Sequence, residues 1–112
     1  MRRPRRELHR GEVRWYKFAA PDKARPVLIL TRDSALRFLG EATVAPITTT
    51  IRAIPSEVAL RPADGLPRAC AVNLDHVQTI AIGKLGRRIT ALPAQRMAEV
   101  RAALLFALGL EA

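Results

Sequence analysis

Two short stretches carry residue types that could act on a charged group. In "RPVLILT" an arginine, Arg25, is locked to Pro26 at the head of an apolar run. In "ITTT" three consecutive hydroxyls, Thr48, Thr49 and Thr50, follow another apolar run. A guanidinium is a permanent planar cation whose N–H fork matches the oxygens of a phosphate or carboxylate. A hydroxyl beside it adds a neutral donor. Such a pair can stabilise negative charge that develops on oxygen during a reaction. Threonine is also a good strand residue. Composition therefore leaves a chemical and a purely structural reading of the three threonines side by side.

The remaining chemistry-bearing residues narrow the choice. His9 and His76 are the two histidines and Cys70 is the one cysteine, so no Cys/His metal set can be assembled. The sequence has no His-Glu-x-x-His motif and no glycine-rich phosphate loop. Ser34 and Ser56 stand outside any Gly-x-Ser-x-Gly elbow. A reaction here would run without metal or cofactor, its nucleophile supplied by the substrate or by water. RNA cleavage meets that condition, because the ribose 2′-hydroxyl attacks the neighbouring phosphorus. The protein would align the backbone, stabilise the phosphorane and help the 5′ oxygen leave.

Charge points to the same class of partner. The chain has 112 residues, a length that suits one compact domain. It carries 19 Lys and Arg against 10 Asp and Glu, a formal charge of +9. Removing Arg2, Arg3, Arg5 and Arg6 still leaves +5, so the folded part is itself basic. Such a surface attracts nucleic acid, anionic lipid or an acidic protein. Residues 1–9 read as a basic flexible tail and residues 10–112 as a single domain. A lone cysteine in the apolar "ACAV" reads as a buried strand residue of a protein from a reducing cytoplasm. No stretch approaches the roughly 20 apolar residues of a membrane helix, and no membrane partner is expected.

These residues must be positioned by short elements. The alternation in "GEVRWYKF" predicts a first strand with Val13 and Trp15 on one face and Arg14 and Tyr16 on the other. "PVLILT" predicts a central strand buried on both sides, starting at Pro26. "DSALRFLG" suits a helical turn capped at Asp33 or Ser34 and stopped by Gly40. "EATVAPITTT" predicts a third strand bent at Pro46, with further strands at Ser56–Leu60, Ala69–Leu74 and His76–Ile82. Pro93 to Leu108 predicts a helix with Pro93 at its first position and Gly109 at its exit. Its stripe of Met97, Val100, Leu104 and Leu108 suits core or a dimer seam. The sum is a mainly β, α+β fold: a strongly bent antiparallel sheet or small barrel with a C-terminal helix.

The order of the motifs carries a resemblance. "RGEVRWYKF", "RPVLILTRD", "VAPITTTIR", "IPSEVAL", "DGLPRACAVNLDHVQTI", "KLGRRI" and "LPAQRMAEVRAALLFALGL" together resemble the MazF/PemK family of mRNA-interferase toxins over Arg10 to Leu110. The resemblance implies an SH3-like barrel of antiparallel strands with a C-terminal helix, forming a homodimer. It implies metal-independent, cofactor-free, sequence-selective cleavage of single-stranded RNA, leaving a cyclic phosphate and a 5′-hydroxyl. It also implies an antitoxin whose acidic extended tail occupies the RNA groove, with any DNA contact running through that antitoxin.

By this resemblance the catalytic arginine falls on Arg25 and the catalytic threonine on Thr48. Asp75 matches a carboxylate assigned as general base in one branch of the family, and its plain alternative is a turn residue. Lys23, Thr49, Thr50, Arg52 and Gln78 are the candidate RNA contacts. The sequence departs from the family in its short first loop "APDKARP", in His76 where glutamine is usual, and in Gln78 where arginine or lysine is usual. These departures imply an RNA target different from the common ACA type. The competing reading on the same barrel is a catalytically silent binding module or a CcdB-like toxin directed at gyrase; retention of both Arg25 and Thr48 favours the nuclease.

Overall fold

The computed structural model describes residues 7–18 and 24–111. Among these, seven strands and two α-helices follow in chain order. They are β1 (Glu12–Lys17), β2 (Ala24–Ile29), α1 (Asp33–Leu36), β3 (Glu41–Thr48), β4 (Glu57–Leu60), β5 (Cys70–Asn73), β6 (Gln78–Ala81), β7 (Leu85–Ala91) and α2 (Ala94–Leu108). Every strand pair is antiparallel. The sheet order is β4-β5-β3-β2-β1-β7, with β6 also paired to β3. The expected bent sheet with a C-terminal helix is present, and it stays open rather than closing into a full barrel.

Strand alternation divides the apolar residues between two cores. Val13, Leu28, Ala45, Ile47 and Val72 enter one, which α2 covers with Val100 and Ala103. Val27, Ile29, Val44 and Ile80 enter the other, together with Leu36 of α1. Val27, Leu28 and Ile29 are fully buried, so β2 is covered on both faces as its apolar run predicts. Each such side chain contributes about 1.5–3 kcal/mol through its removal from water. Among the described residues, no helix is long and apolar enough to cross a membrane.

Several expectations need correction. Arg14, placed by the alternation with Tyr16 on the face opposite Val13, is buried with Glu12, donating from Nε to Oε1 at 2.9 Å and from Nη1 to the Gly86 carbonyl at 3.1 Å. β7, a strand the sequence pattern did not reveal, pairs along β1 with a register shift on either side of Arg14 and presents the Gly86 carbonyl to it. Neither Asp33 nor Ser34 caps α1: Arg32 holds the cap position, with no side-chain cap bond. The Asp33 carboxylate instead accepts the Arg10 N–H at 2.6 Å. Pro93 is the N-cap residue of α2 and not its first helical residue. In α2 the buried residues are Val100 and Ala103, whereas Leu108 is 54% exposed. The helix packs on β4 and the 3-10 turn Leu74–His76, and in its last turn Ala107 still meets the first core while Phe106 and Leu108 stay exposed. Of the basic tail, residues 1–6 lie outside the described residues, while Leu8 packs against the second core.

The β4–β5 connection is anchored at both ends of a short turn. After the 3-10 turn Pro62–Asp64, the Asp64 carboxylate accepts from Arg96 Nε at 3.0 Å and Nη2 at 3.1 Å, and from the Arg61 N–H at 2.8 Å. Gly65 follows at φ +98°, and a Cβ there would collide with the Thr90 side chain of β7. Gly65→Ala therefore combines a left-handed backbone with a steric clash, and should cost about 2 kcal/mol or more in a denaturant melt. The Arg96 guanidinium, aided by the Arg61 N–H, holds the Asp64 carboxyl below its ordinary value. A depressed folded value gives stability that is present above the ordinary value near 3.9 and is lost as pH falls through the folded one. Asp64→Asn should therefore destabilise the protein by about 1–3 kcal/mol at pH 7. The gap between parent and variant melts should close below about pH 4.

Candidate functional site

The geometry around Arg25 follows from two prolines. β2 and β3 pair with Val27 opposite Pro46, Leu28 opposite Ala45 and Ile29 opposite Val44. Beyond them, the Leu30 N–H reaches the Thr43 carbonyl at 2.9 Å. N–H groups alternate between neighbours along an antiparallel strand, so positions 28 and 26 also turn theirs toward β3. Pro26 has none to give, and the ladder ends beside it. The ladder stops at Val27 and Pro46, and Arg25 and Thr48 follow two residues further along their strands. The strands part there and leave a cleft.

The other edge of β3 is divided. Glu41 to Val44 pair with β6, and Ile47 and Thr48 pair with β5. Ala45 and Pro46 stand between the two ladders. By the same alternation the nitrogen of Pro46 faces this gap, where no hydrogen bond is lost. The expected bend at Pro46 is thus the point at which β3 leaves one partner for the next.

Two cavities flank this point, and Arg25, Thr48 and Thr50 line both. The larger, about 880 Å³, adds Trp15, Thr49, Leu66, Pro67 and Arg68 around a floor of Ile47 and Cys70. The smaller, about 350 Å³, adds Phe18, Pro46, Arg52, Asn73, His76 and Gln78. Arg25, Arg52 and Arg68 give the linings three guanidiniums, and no carboxylate lines either cavity among the described residues. The field in the cleft is therefore positive, which suits a polyanion.

Thr48 is prepared as a donor. Its Oγ1 accepts the Thr50 N–H at 3.1 Å, which leaves the hydroxyl hydrogen free to point outward. Thr49, Thr50, Arg52 and Gln78 all reach one or both cavities, while Lys23 lies outside the described residues. Asp75 is not brought to the cleft and lines neither cavity. It accepts from Ser56 Oγ at 2.6 Å, and its N–H is held by Asn73 Oδ1 at 3.0 Å. Those bonds fix a turn, so the structure favours the plain reading of this residue. Cys70 is buried, and burial pushes its thiol pKa up, so it stays protonated.

Trp15, Phe18, Arg68 and Asn73 line the cleft without having been picked out from the sequence. One signal was available for Arg68. It stands just ahead of the apolar "ACAV", as Arg25 stands ahead of "PVLI". Among the described residues no group of three or more His, Cys, Asp and Glu is placed to hold a metal ion.

Known proteins place this architecture. The profile of PemK-like, MazF-like toxins of type II toxin–antitoxin systems matches residues 9–108. A Mycobacterium tuberculosis protein named probable endoribonuclease MazF5 is 46% identical over 96 residues, covering 85% of this chain and 87% of that protein. The solved structure of the Mycobacterium tuberculosis toxin MazF-mt6 superposes with a TM-score of 0.82 at 39% identity, covering 90% of this chain and 99% of the other. A mycobacterial endoribonuclease solved in complex with its cognate antitoxin gives a TM-score of 0.83 at 30% identity, covering 94% of this chain and 98% of that one. The chain belongs to the PemK-like, MazF-like toxins of type II toxin–antitoxin systems.

Proposed function

We propose that the protein is the toxin of such a system and an endoribonuclease that cuts single-stranded mRNA at the cleft between β2 and β3. The single observation that carries this reading is that Arg25 and Thr48 together line two adjoining cavities whose linings hold arginines and no described carboxylate. The names of two of the relatives cited, both endoribonucleases, support it.

In this reading the ribose 2′-oxygen attacks phosphorus and gives up its proton to solvent. The bond from phosphorus to the 5′ oxygen breaks, and that oxygen takes up a proton from solvent. The products are a 2′,3′-cyclic phosphate and a 5′-hydroxyl. Arg25 grips the phosphate with its fork and offsets the charge of the phosphorane. A guanidinium, as a permanent cation, is a poor base. Thr48 donates its free hydroxyl hydrogen to a phosphorane oxygen. Residues 10–112 act as one domain without cofactor, in the cytoplasm. The acidic extended tail of an antitoxin competes with RNA for the same cations, and any contact with DNA runs through that antitoxin. Exposed Phe106, Leu108 and Leu110 at the end of α2 suit burial in a homodimer.

Purified protein incubated with a long RNA and a chelator should yield discrete cuts with 5′-hydroxyl ends. Intact RNA would favour a silent binding module. Arg25→Ala and Thr48→Ala should each slow cleavage by about 10²-fold or more with unchanged melting curves; wild-type rates in both would remove the assignment. Asp75→Asn should fall well short of the ~10²-fold loss expected for a general base. Its cost should instead appear as about 1 kcal/mol of stability, through the weakened bond to Ser56.

A further inference from the structure

The two cavities differ in chemistry, and the residues between them are the ones placed at the reacting phosphate. Resting on the nuclease reading above, we propose that they are two nucleotide pockets, one on each side of the scissile bond: Trp15 stacks a base of any identity, and Asn73 with Gln78 reads the edge of a single base. A phosphate held by Arg25 and Thr48 sits on the ridge that both cavities share, so the nucleotides joined through it descend on opposite sides.

On the first side the indole of Trp15 lies with Leu66 and Pro67, and Arg68 is the cation of that wall. An aromatic face among apolar side chains binds bases with little regard to sequence, because every base has a π face. β7 backs this platform closely: a Cβ at position 86 would come within 3.3 Å of the Trp15 Cβ, and the residue there is glycine. The turn that carries Leu66, Pro67 and Arg68 is the one clamped by Asp64 and Arg96, so the opposing wall is also held in place.

On the second side the lining is rich in groups that read base edges. Asn73 spends its Oδ1 on the Asp75 N–H, and its two amide hydrogens remain for a ligand. Gln78 is exposed and offers both a donor and an acceptor. Phe18 closes the pocket, its ring held edge-to-face on Tyr16 at 4.8 Å and 80°. A volume of about 350 Å³ suits one base, since it lies near the lower end of the ~300–1,000 Å³ typical of small-ligand sites. Single-stranded RNA is recognised in this way, by splayed bases stacked on aromatics and hydrogen-bonded at their edges.

Trp15 is the one tryptophan of the chain, so its emission reports its own pocket. The probe is an oligoribonucleotide carrying the preferred cut sequence with a 2′-deoxy sugar at the cut, which removes the nucleophile. Its binding should quench Trp15 fluorescence. Trp15→Leu should weaken binding by about 10- to 100-fold without changing the preferred cut sequence, and Trp15→Phe, which keeps a ring, should retain most of the affinity. Gln78→Ala should reduce discrimination by about 10-fold at one position next to the cut and leave the other positions as they were. Saturable binding with unchanged Trp15 emission would overturn the stacking pocket. An unaltered cut profile in Gln78→Ala would overturn the reading pocket while leaving the nuclease intact. If wild-type protein left all RNA uncut the nuclease reading would fail, and the quenching titration on an unmodified library would then decide the Trp15 pocket by itself.

Discussion

The site depends on how one strand spends its hydrogen bonds. β3 pairs with β2 over Val44 to Pro46, and on its other edge it belongs first to β6 and then to β5. The change of partner falls at Ala45 and Pro46, where the proline nitrogen faces the interval and forfeits no bond. Two residues later the strand delivers Thr48 to the cleft. On the facing strand Pro26 ends the ladder one step before Arg25. The missing N–H of Pro26 thus ends the ladder at the opening, and Arg25 stands next to it. A residue with an N–H at position 26 would be free to extend the β2–β3 ladder across the space that a substrate needs.

The charges are sorted in a way that serves this opening. The acids near the cleft are engaged away from it: Asp64 with Arg96, Asp75 with Ser56, and Glu57 with the Arg52 N–H at 2.9 Å. The arginines of the linings are left to face the cavity. Their attraction for a polyanion is least screened where the walls exclude water. The same sorting accounts for competition between two unlike ligands, RNA and an acidic peptide, since both present rows of oxygens to the same forks. The apolar end of α2, with Phe106 and Leu108 uncovered, belongs to a different surface with its own role in assembly.

Much of this was legible in the sequence, and the exceptions have physical causes. β2 and β3 announce themselves because both their faces are buried and their runs are nearly unbroken. The buried Cys70 and the helix ended by Gly109, at φ +70°, were equally plain. β7 was missed because "LGRRITA" mixes a glycine with two arginines and lies at the sheet edge, where exposure weakens the apolar signal. The burial of Arg14 could not be read without β7. Leu108 continues the helical period but stands exposed beside Ala107, which packs on the first core, and Ala103, too small to stand out in a periodic pattern, takes an inward place. The clamp between Asp64 and Arg96 joins residues 32 apart, a distance no local rule spans. The pairing of Arg25 with Thr48 came from the family resemblance, and the two cavities that both residues line supply its physical setting. Trp15 and Phe18 read simply as strand residues until the two cavities gave them something to face.

The account is tested most directly by a structure of the protein bound to an RNA that carries a 2′-deoxy sugar at its cut site. It predicts one phosphate, the one at that sugar, within about 3 Å of both the Arg25 guanidinium and the Thr48 hydroxyl. A bound RNA whose cut-site phosphate touches neither side chain would contradict it.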